Sequence, residues 1–282
     1  MEIARTIADL RRHIAAWRKG GERLGLVPTM GALHQGHMAL VRSARAECDR
    51  VVASIFVNPK QFAPTEDLGS YPRREAADFE MLQSAGVDLV FIPALDEMYP
   101  PDFATLVRVS GLTEGLCGTH RAGHFDGVTT VVTKLLIQVL PDIAYFGEKD
   151  YQQLTVVRRL ARDLDIPVRI AGVPTVREAD GLALSSRNVF LSAEERRIAP
   201  NLARVLRSIA AALEQDPTAV EREIARGSAA LQQAGLAVEY LEIREAESLA
   251  VTTEVVTPSS RVFAAVRLGT TRLIDNMPIA RD

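Results

Sequence analysis

Four short stretches of the chain combine residue types able to handle a triphosphate or a carboxylate, and a fifth sets polar groups between glycines. The first, His34-Gln35-Gly36-His37, lies between a short apolar strand pattern and a helical one. Two imidazoles at this spacing share one face of a helical first turn. Gly36 has no side chain, so a nucleotide can approach its backbone. A helix N-terminus adds N–H groups and partial positive charge. The set suits an α-phosphorus under attack, the imidazoles donating to phosphoryl oxygens as charge develops. The second stretch, Gly147-Glu148-Lys149-Asp150, directly follows an apolar strand pattern, where ligands of α/β sheets bind. Lys149 is a point charge suited to a phosphate. Asp150 has three roles open to it: orienting that lysine, capping the next helix, or helping to hold a magnesium–ATP complex. The third, Leu184-Ser185-Ser186-Arg187-Asn188, puts hydroxyls and a guanidinium in one loop. Such a loop can clamp the β- and γ-phosphates and stabilise departing diphosphate. The fourth, Asn58-Pro59-Lys60-Gln61-Phe62, follows a continuous apolar run. Gln61, and Gln153 further on, offer both donor and acceptor to a hydroxylated acid. The fifth, Arg121-Ala122-Gly123-His124-Phe125-Asp126-Gly127-Val128, reads equally as a lid, a dimer contact or a simple loop. Taken singly, the first four also have plain readings: surface histidines, a solvated helix start, a serine-rich capping turn and solvated glutamines.

The elements that must position these groups alternate. Ile7, Leu10, Ile14 and Trp17 predict a helix stopped by Gly20. A strand is expected over 24–27, then the loop 28–37 and a helix from about His37, with Leu40, Val41, Ala44 and Cys48 on one face. The apolar run Val51 to Val57 suits a parallel strand covered on both faces. Helices are predicted over 73–85, 127–140 and 150–164, and strands over 88–92, 143–146 and 168–173. This alternation predicts a doubly wound α/β domain with its loops along one sheet edge. Beyond about residue 176 the character changes. Ser192 and Glu195 have capping-box spacing, Pro200 should break the helical pattern, and Asp216-Pro217 separates two helices. Strand-like runs at 238–243, 262–266 and 272–274 complete a smaller α+β domain. The expected division is residues 1–175 and 176–282.

Bulk properties narrow the class. The 282 residues are 47% hydrophobic and 24% charged, the balance of a soluble globular protein with a real core. Net charge is −3, with no basic tail, which argues against a nucleic-acid partner. Cys48 and Cys117 form neither a zinc pattern nor a disulfide framework, and a reducing compartment fits them best. The charged, amphipathic N-terminus does not read as a signal peptide, and no apolar run is long enough for a membrane. A cytoplasmic location is expected.

The segments VPTMGALHQGH, SIFVNPKQF, RAGHFDGV, YFGEKDYQQL, VPTVREADGLALSSRN and LGTTRLIDN occur in an order and spacing that closely resemble the pantothenate synthetase family. The resemblance covers nearly the whole chain and implies a Rossmann-like nucleotidyltransferase domain, a smaller C-terminal domain and a homodimer. It implies condensation of (R)-pantoate with β-alanine, using ATP with Mg2+ and passing through a pantoyl adenylate. Residue by residue, it implies an ATP-binding loop of Met30, Gly31, Ala32, Leu33, His34, Gln35, Gly36 and His37, with His37 as proton donor and His34 as its partner. Gly147, Glu148, Lys149 and Asp150 match a second ATP-binding segment, and Val176 an adenine-side contact. Leu184, Ser185, Ser186 and Arg187 match a phosphate-gripping loop, with Leu184 where methionine is commoner. Gln61 and Gln153 match pantoate-binding glutamines, Gln61 also meeting β-alanine. In the implied mechanism His34, His37 and Lys149 stabilise the α-phosphoryl group, and Ser185, Ser186 and Arg187 hold the departing phosphates. Protein ligands of magnesium stay open. Without the resemblance, the histidine motif fits other nucleotidyl-transferring enzymes, separated by their products, or a nucleotide-binding regulator that gives no turnover.

Overall fold

The computed structural model describes residues 1–64 and 66–279. Through residue 173 the elements are β1 (Glu2–Ala4), α1 (Ile7–Lys19), β2 (Leu24–Thr29), α2 (Gln35–Glu47), β3 (Arg50–Ile55), α3 (Glu75–Ser84), β4 (Leu89–Phe91), α4 (Leu95–Met98), α5 (Cys117–His120), α6 (His124–Val139), β5 (Ile143–Gly147), α7 (Tyr151–Asp163) and β6 (Arg169–Val173). After them come α8 (Ala193–Ile198), α9 (Asn201–Gln215), α10 (Val220–Gln233), β7 (Ala237–Glu245), β8 (Ser260–Leu268) and β9 (Thr271–Pro278). The chain forms two compact units. The first takes Met1–Glu114, Gly118–Glu148 and Val156–Pro174; the second takes Gly115–Cys117, Lys149–Thr155 and the chain from Thr175 onward.

In the first unit six strands pair in the order β1-β4-β3-β2-β5-β6, all parallel. This is the doubly wound, Rossmann-like sheet that the alternation predicts. β2 and β3 are buried along nearly their whole length, which explains their continuous apolar runs. From β2 the sheet extends through β3 and β4 on one side and through β5 and β6 on the other. The switch in winding therefore lies between β2 and β5, whose register pairs Gly25 with Ile143 and Leu26 with Ala144. Crevices beyond the carboxyl ends of strands at such a switch are where open α/β sheets bind ligands. The loop Met30–His34 leaves one of these ends and Gly147-Glu148 leaves the other.

In the second unit β7, β8 and β9 form an antiparallel sheet, with α9 against β8 and β9, and α10 against β7 and α9. Leu206, Ile209 and Leu213 of α9 share a core with Val262, Ala264 and Val266 of β8. Ser192 and Glu195 make the expected capping box, and Pro200 separates α8 from α9.

Several boundaries differ from the expected ones. β1 is an added edge strand of three residues, too short to announce itself before the helix pattern. α2 begins at Gln35, so His34 is its N-cap and His37 its third residue. α6 begins at His124, so the second half of the fifth stretch is a helical first turn. β9 runs past Ile274 to Pro278 because its ladder with β8 continues from Ala264–Asp275 to Arg261–Pro278.

Candidate active site

The loop after β2 carries a backbone that few residues adopt. Gly31 has φ 78° and Ala32 φ 49°, two left-handed residues in succession. A non-glycine residue there costs roughly 1–2 kcal/mol, so the conformation must be held from outside. Asp78 of α3 holds it: its carboxylate accepts from Ala32 N at 2.9 Å and Leu33 N at 2.8 Å. Asp78 is 3% exposed. Burial pushes its carboxyl above the ordinary range, against the opposing pull of the two N–H donors. A Cβ at Gly31 would stand 2.9 Å from Asp78 Oδ2, so glycine is needed for the close approach as well as the turn. Asp78→Ala should leave both amides without an acceptor, at about 1–3 kcal/mol each. Chemical denaturation checks the effect; a variant as stable as the parent would show that the loop does not depend on this carboxylate.

His34 and His37 close the start of α2 reciprocally. His34 Nδ1 accepts from Gly36 N at 3.1 Å, and His37 Nδ1 accepts from His34 N at 3.3 Å. The two rings lie 4.2 Å apart at 42°. Because each Nδ1 accepts, each neutral ring carries its hydrogen on Nε2. The arrangement is a capping box made from imidazoles, and it fixes tautomer and ring orientation together.

Gln61 ends the 3₁₀ turn Pro59–Gln61 beyond β3. Its Nε2 lies 3.1 Å from the Met30 sulfur, and its Oε1 accepts from Asn58 Nδ2 at 3.1 Å. The loop after β2 and the glutamine turn are thus brought together within the first unit. Asn58, 1% exposed, is the anchor. Its Nδ2 also donates to Gly127 O at 3.0 Å, and its Oδ1 accepts from the Tyr99 hydroxyl at 2.9 Å. The Gln61 carbonyl meets His124 Nδ1 at 2.8 Å and accepts from Arg121 Nη2 at 3.3 Å. Arg121 is paired with Glu66 at 2.6 Å. The fifth sequence stretch therefore braces the glutamine turn.

Burial pushes the Glu66 carboxyl up, but the hydrogen bonds and charge of Arg121 outweigh it and leave it below the ordinary 4.5. A depressed folded-state value means stability present above about 4.5 and lost as pH falls through the folded value. The stability difference between the parent and Glu66→Gln should therefore shrink on acidification below that range. Denaturation at neutral and acid pH measures it; a difference independent of pH would remove the ion pair as its source.

Gly147 and Glu148 end the first unit's segment after β5, and the other expected residues belong to the second unit. Lys149 Nζ stands 3.7 Å from Asp150 Oδ1, with its side chain 19% exposed. Val176 O accepts from Leu184 N at 3.0 Å, closing a short hairpin in which Arg177 and Ala183 pair. This places the adenine-side candidate beside the start of the Leu184–Arg187 stretch. Ser185 caps the 3₁₀ helix Ser186–Phe190, its Oγ accepting from Arg187 N at 3.2 Å. Gln153 is half-buried in the first turn of α7. Its neighbour Gln152 is buried and structural, accepting from Cys117 N at 3.0 Å and donating to Gly115 O at 2.8 Å.

Sequence reading assigns no role to Asn58, Asp78 or Tyr99. Asn58 lies inside a quoted motif, a signal that could have found it; Asp78 lies 45 positions beyond Leu33, and nothing local marks it.

A family model described as pantoate-beta-alanine ligase matches residues 2–278 of the sequence that builds these loops. The chain belongs to the pantoate-beta-alanine ligase family. The family's activity, ligation of pantoate to β-alanine, is the activity of this chain. A ligase relative, the pantothenate synthetase of Paramagnetospirillum magneticum, is 54% identical over 279 residues, covering 99% of this chain and 98% of the relative. The crystal structure of pantothenate synthetase from Thermus thermophilus matches with a TM-score of 0.94 at 49% identity, with both chains covered completely. A pantoate-beta-alanine ligase from Francisella tularensis, complexed with beta-gamma ATP and beta-alanine, matches with a TM-score of 0.83 at 34% identity, covering 99% of this chain and 98% of that one. Among the described residues, no helix of this ligase is long and apolar enough to cross a membrane.

Proposed function

We propose that the ligation runs in two steps on one bound nucleotide. A carboxylate oxygen of (R)-pantoate attacks the α-phosphorus of ATP, the bond to the β-phosphate oxygen breaks, and diphosphate leaves. The amine of β-alanine then attacks the carbonyl carbon of pantoyl adenylate, expels AMP and loses a proton to give pantothenate. Met30–His37, Gly147–Asp150, Val176 and Leu184–Arg187 bind ATP; Gln61 and Gln153 bind pantoate, and Gln61 also meets β-alanine. In this division of labour residues 1–175 form the nucleotide- and pantoate-binding region, and residues 176–282 carry the serine–arginine turn.

The observation that carries this reading is the reciprocal imidazole cap. With both Nδ1 atoms accepting from the backbone, His34 and His37 present Nε2–H as hydrogen-bond donors to the α-phosphoryl oxygens. His37 then acts by stabilising charge, with no proton passed to the leaving group. Lys149 adds a point charge, and Ser185, Ser186 and Arg187 hold the departing phosphates. Magnesium arrives as the ATP complex, with phosphate oxygens and water as its main ligands. Among the described residues, no group of three or more His, Cys, Asp or Glu side chains is placed to hold a metal ion. The ligase works in the cytoplasm as a homodimer, a state that analytical ultracentrifugation measures directly.

The decisive measurement is mass spectrometry of products from ATP, pantoate and β-alanine, leaving out each in turn. Pantothenate, AMP and diphosphate should form together, and omission of β-alanine should leave bound pantoyl adenylate. An adenylated product released in its place would overturn the reading. For His37, the pH–rate profile of adenylation should lack an ionisation that disappears in His37→Gln.

A further inference from the structure

β9 carries Asp275 and Asn276, adjacent residues each 3% exposed and each tied to a different functional loop of the second unit. Asn276 Nδ2 donates to the main-chain oxygen of Lys149 at 3.0 Å. Its Oδ1 accepts from Arg261 Nε at 3.0 Å and Nη2 at 2.8 Å, and the Arg261 guanidinium lies 4.0 Å over the Tyr151 ring. Residues 149–151 are therefore held at a carbonyl and at a ring, both leading back to one amide. Asp275 faces the other loop. Its carboxylate takes a two-pronged contact from Arg177, at 2.7 and 2.9 Å. Arg177 also donates to Gly181 O at 3.1 Å inside the hairpin that delivers Ser185. The two residues are coupled in turn, since Asn276 N donates to Asp275 Oδ1 at 2.8 Å.

Adjacent residues on a paired strand have a fixed separation, and β9 is paired with β8 at both positions. A rigid strand that holds one loop through Asp275 and the next through Asn276 sets the spacing of those loops. We propose that Asp275 and Asn276 are positioning residues for adenylate formation. They fix where Lys149 stands relative to the Ser185–Arg187 turn, so that charge on the α-phosphoryl group and charge on the departing diphosphate meet their partners at one geometry. Neither residue touches substrate in this role. The inference rests on the reading that Lys149 and the serine–arginine turn hold the phosphates.

Asn276→Asp tests it at constant side-chain size. The acceptor facing Arg261 is kept, the donor to Lys149 O becomes an oxygen that repels that carbonyl, and the added negative charge faces the Arg261 guanidinium. Asn276→Ala removes the donor without adding charge. A misplacement near 1 Å can cost on the order of 10²-fold in rate. Diphosphate release from ATP and pantoate should fall on that order in Asn276→Asp and in Asn276→Ala. Aminolysis of supplied pantoyl adenylate by β-alanine should keep its rate, since the α-phosphoryl group has already been transferred. In a Lys149→Ala background, Asn276→Asp should add nothing, as expected for a residue acting through Lys149. Asp275→Asn, which weakens the grip on Arg177, should show the same split between the half-reactions. Three results would each overturn the inference: parental adenylation in a folded Asn276→Asp variant, equal loss in both half-reactions, or an effect that multiplies with that of Lys149→Ala. Parental adenylation in Lys149→Ala alone would instead overturn the underlying reading of Lys149, so the two failures separate.

Discussion

Lys149→Ala is expected to slow formation of pantoyl adenylate by on the order of 10²–10³-fold, the usual loss on removing a group that meets charge in the transition state. Its effect on stability should be small. The Lys149 ammonium stands 3.7 Å from Asp150, beyond a good hydrogen bond, and the Asp150 side chain is 48% exposed. Such a pair contributes about 0–1 kcal/mol. The main-chain contact to Asn276 does not involve the side chain and survives the substitution. Rate and stability therefore separate, and single-turnover diphosphate release beside a thermal melt reads both. Lys149→Arg should restore only part of the rate, because a planar fork does not place its charge where a compact ammonium does. Unchanged adenylation in folded Lys149→Ala would end the assignment.

A comparable separation divides the residues that are legible in the chain from those that are not. Val51 to Ile55 advertises a buried parallel strand because both of its faces are covered, so nearly every position is apolar. Ser192 and Glu195 advertise a helix start because their reciprocal bonds are local. His34 reads as lying just outside its helix because imidazole is not among the usual caps; the structure uses it as one. Asp78 in an isolated helix reads as a solvated residue. Only the fold, by laying α3 beside the loop after β2, turns it into the acceptor for the amides of Ala32 and Leu33. Asp275 and Asn276 read as the end of a strand, since both residue types are poor strand formers. Arg177 and Arg261 reach them from 98 and 15 positions away and make the polar pair compatible with burial. The groups that escape sequence reading are therefore those that act through other residues: their partners are distant in the chain, and their own types carry no chemical signature.

Gly127→Ala should be the most damaging small substitution at the site, although residue 127 bears no functional group. A Cβ there would stand 2.2 Å from Lys60 O, 2.4 Å from Lys60 C and 2.6 Å from Gln61 N. All three neighbours are backbone, so no side chain can swing aside to admit the methyl. Either α6 or the turn Pro59–Gln61 must retreat. Asn58 resists, because the same amide that holds Gln61 Oε1 also holds Gly127 O at 3.0 Å. Its other end is fixed by the Tyr99 hydroxyl. The strain should cost about 3 kcal/mol, the upper part of the usual range for overpacking. Relaxing it requires a shift of roughly 1 Å in the turn that presents Gln61, enough to cost on the order of 10²-fold where orientation matters. The loss should concentrate in kcat/KM for pantoate. On the proposed assignment ATP binding at Met30–His37 should suffer less, because the turn reaches that loop at Met30 while Asp78 holds Ala32 and Leu33 without passing through the turn. Denaturant unfolding and steady-state kinetics with each substrate varied in turn would reveal this pattern. A Gly127→Ala protein as stable as its parent, with pantoate kinetics unchanged, would mean that the helix and the turn yield freely to each other, and that Gln61 is positioned by something other than this contact.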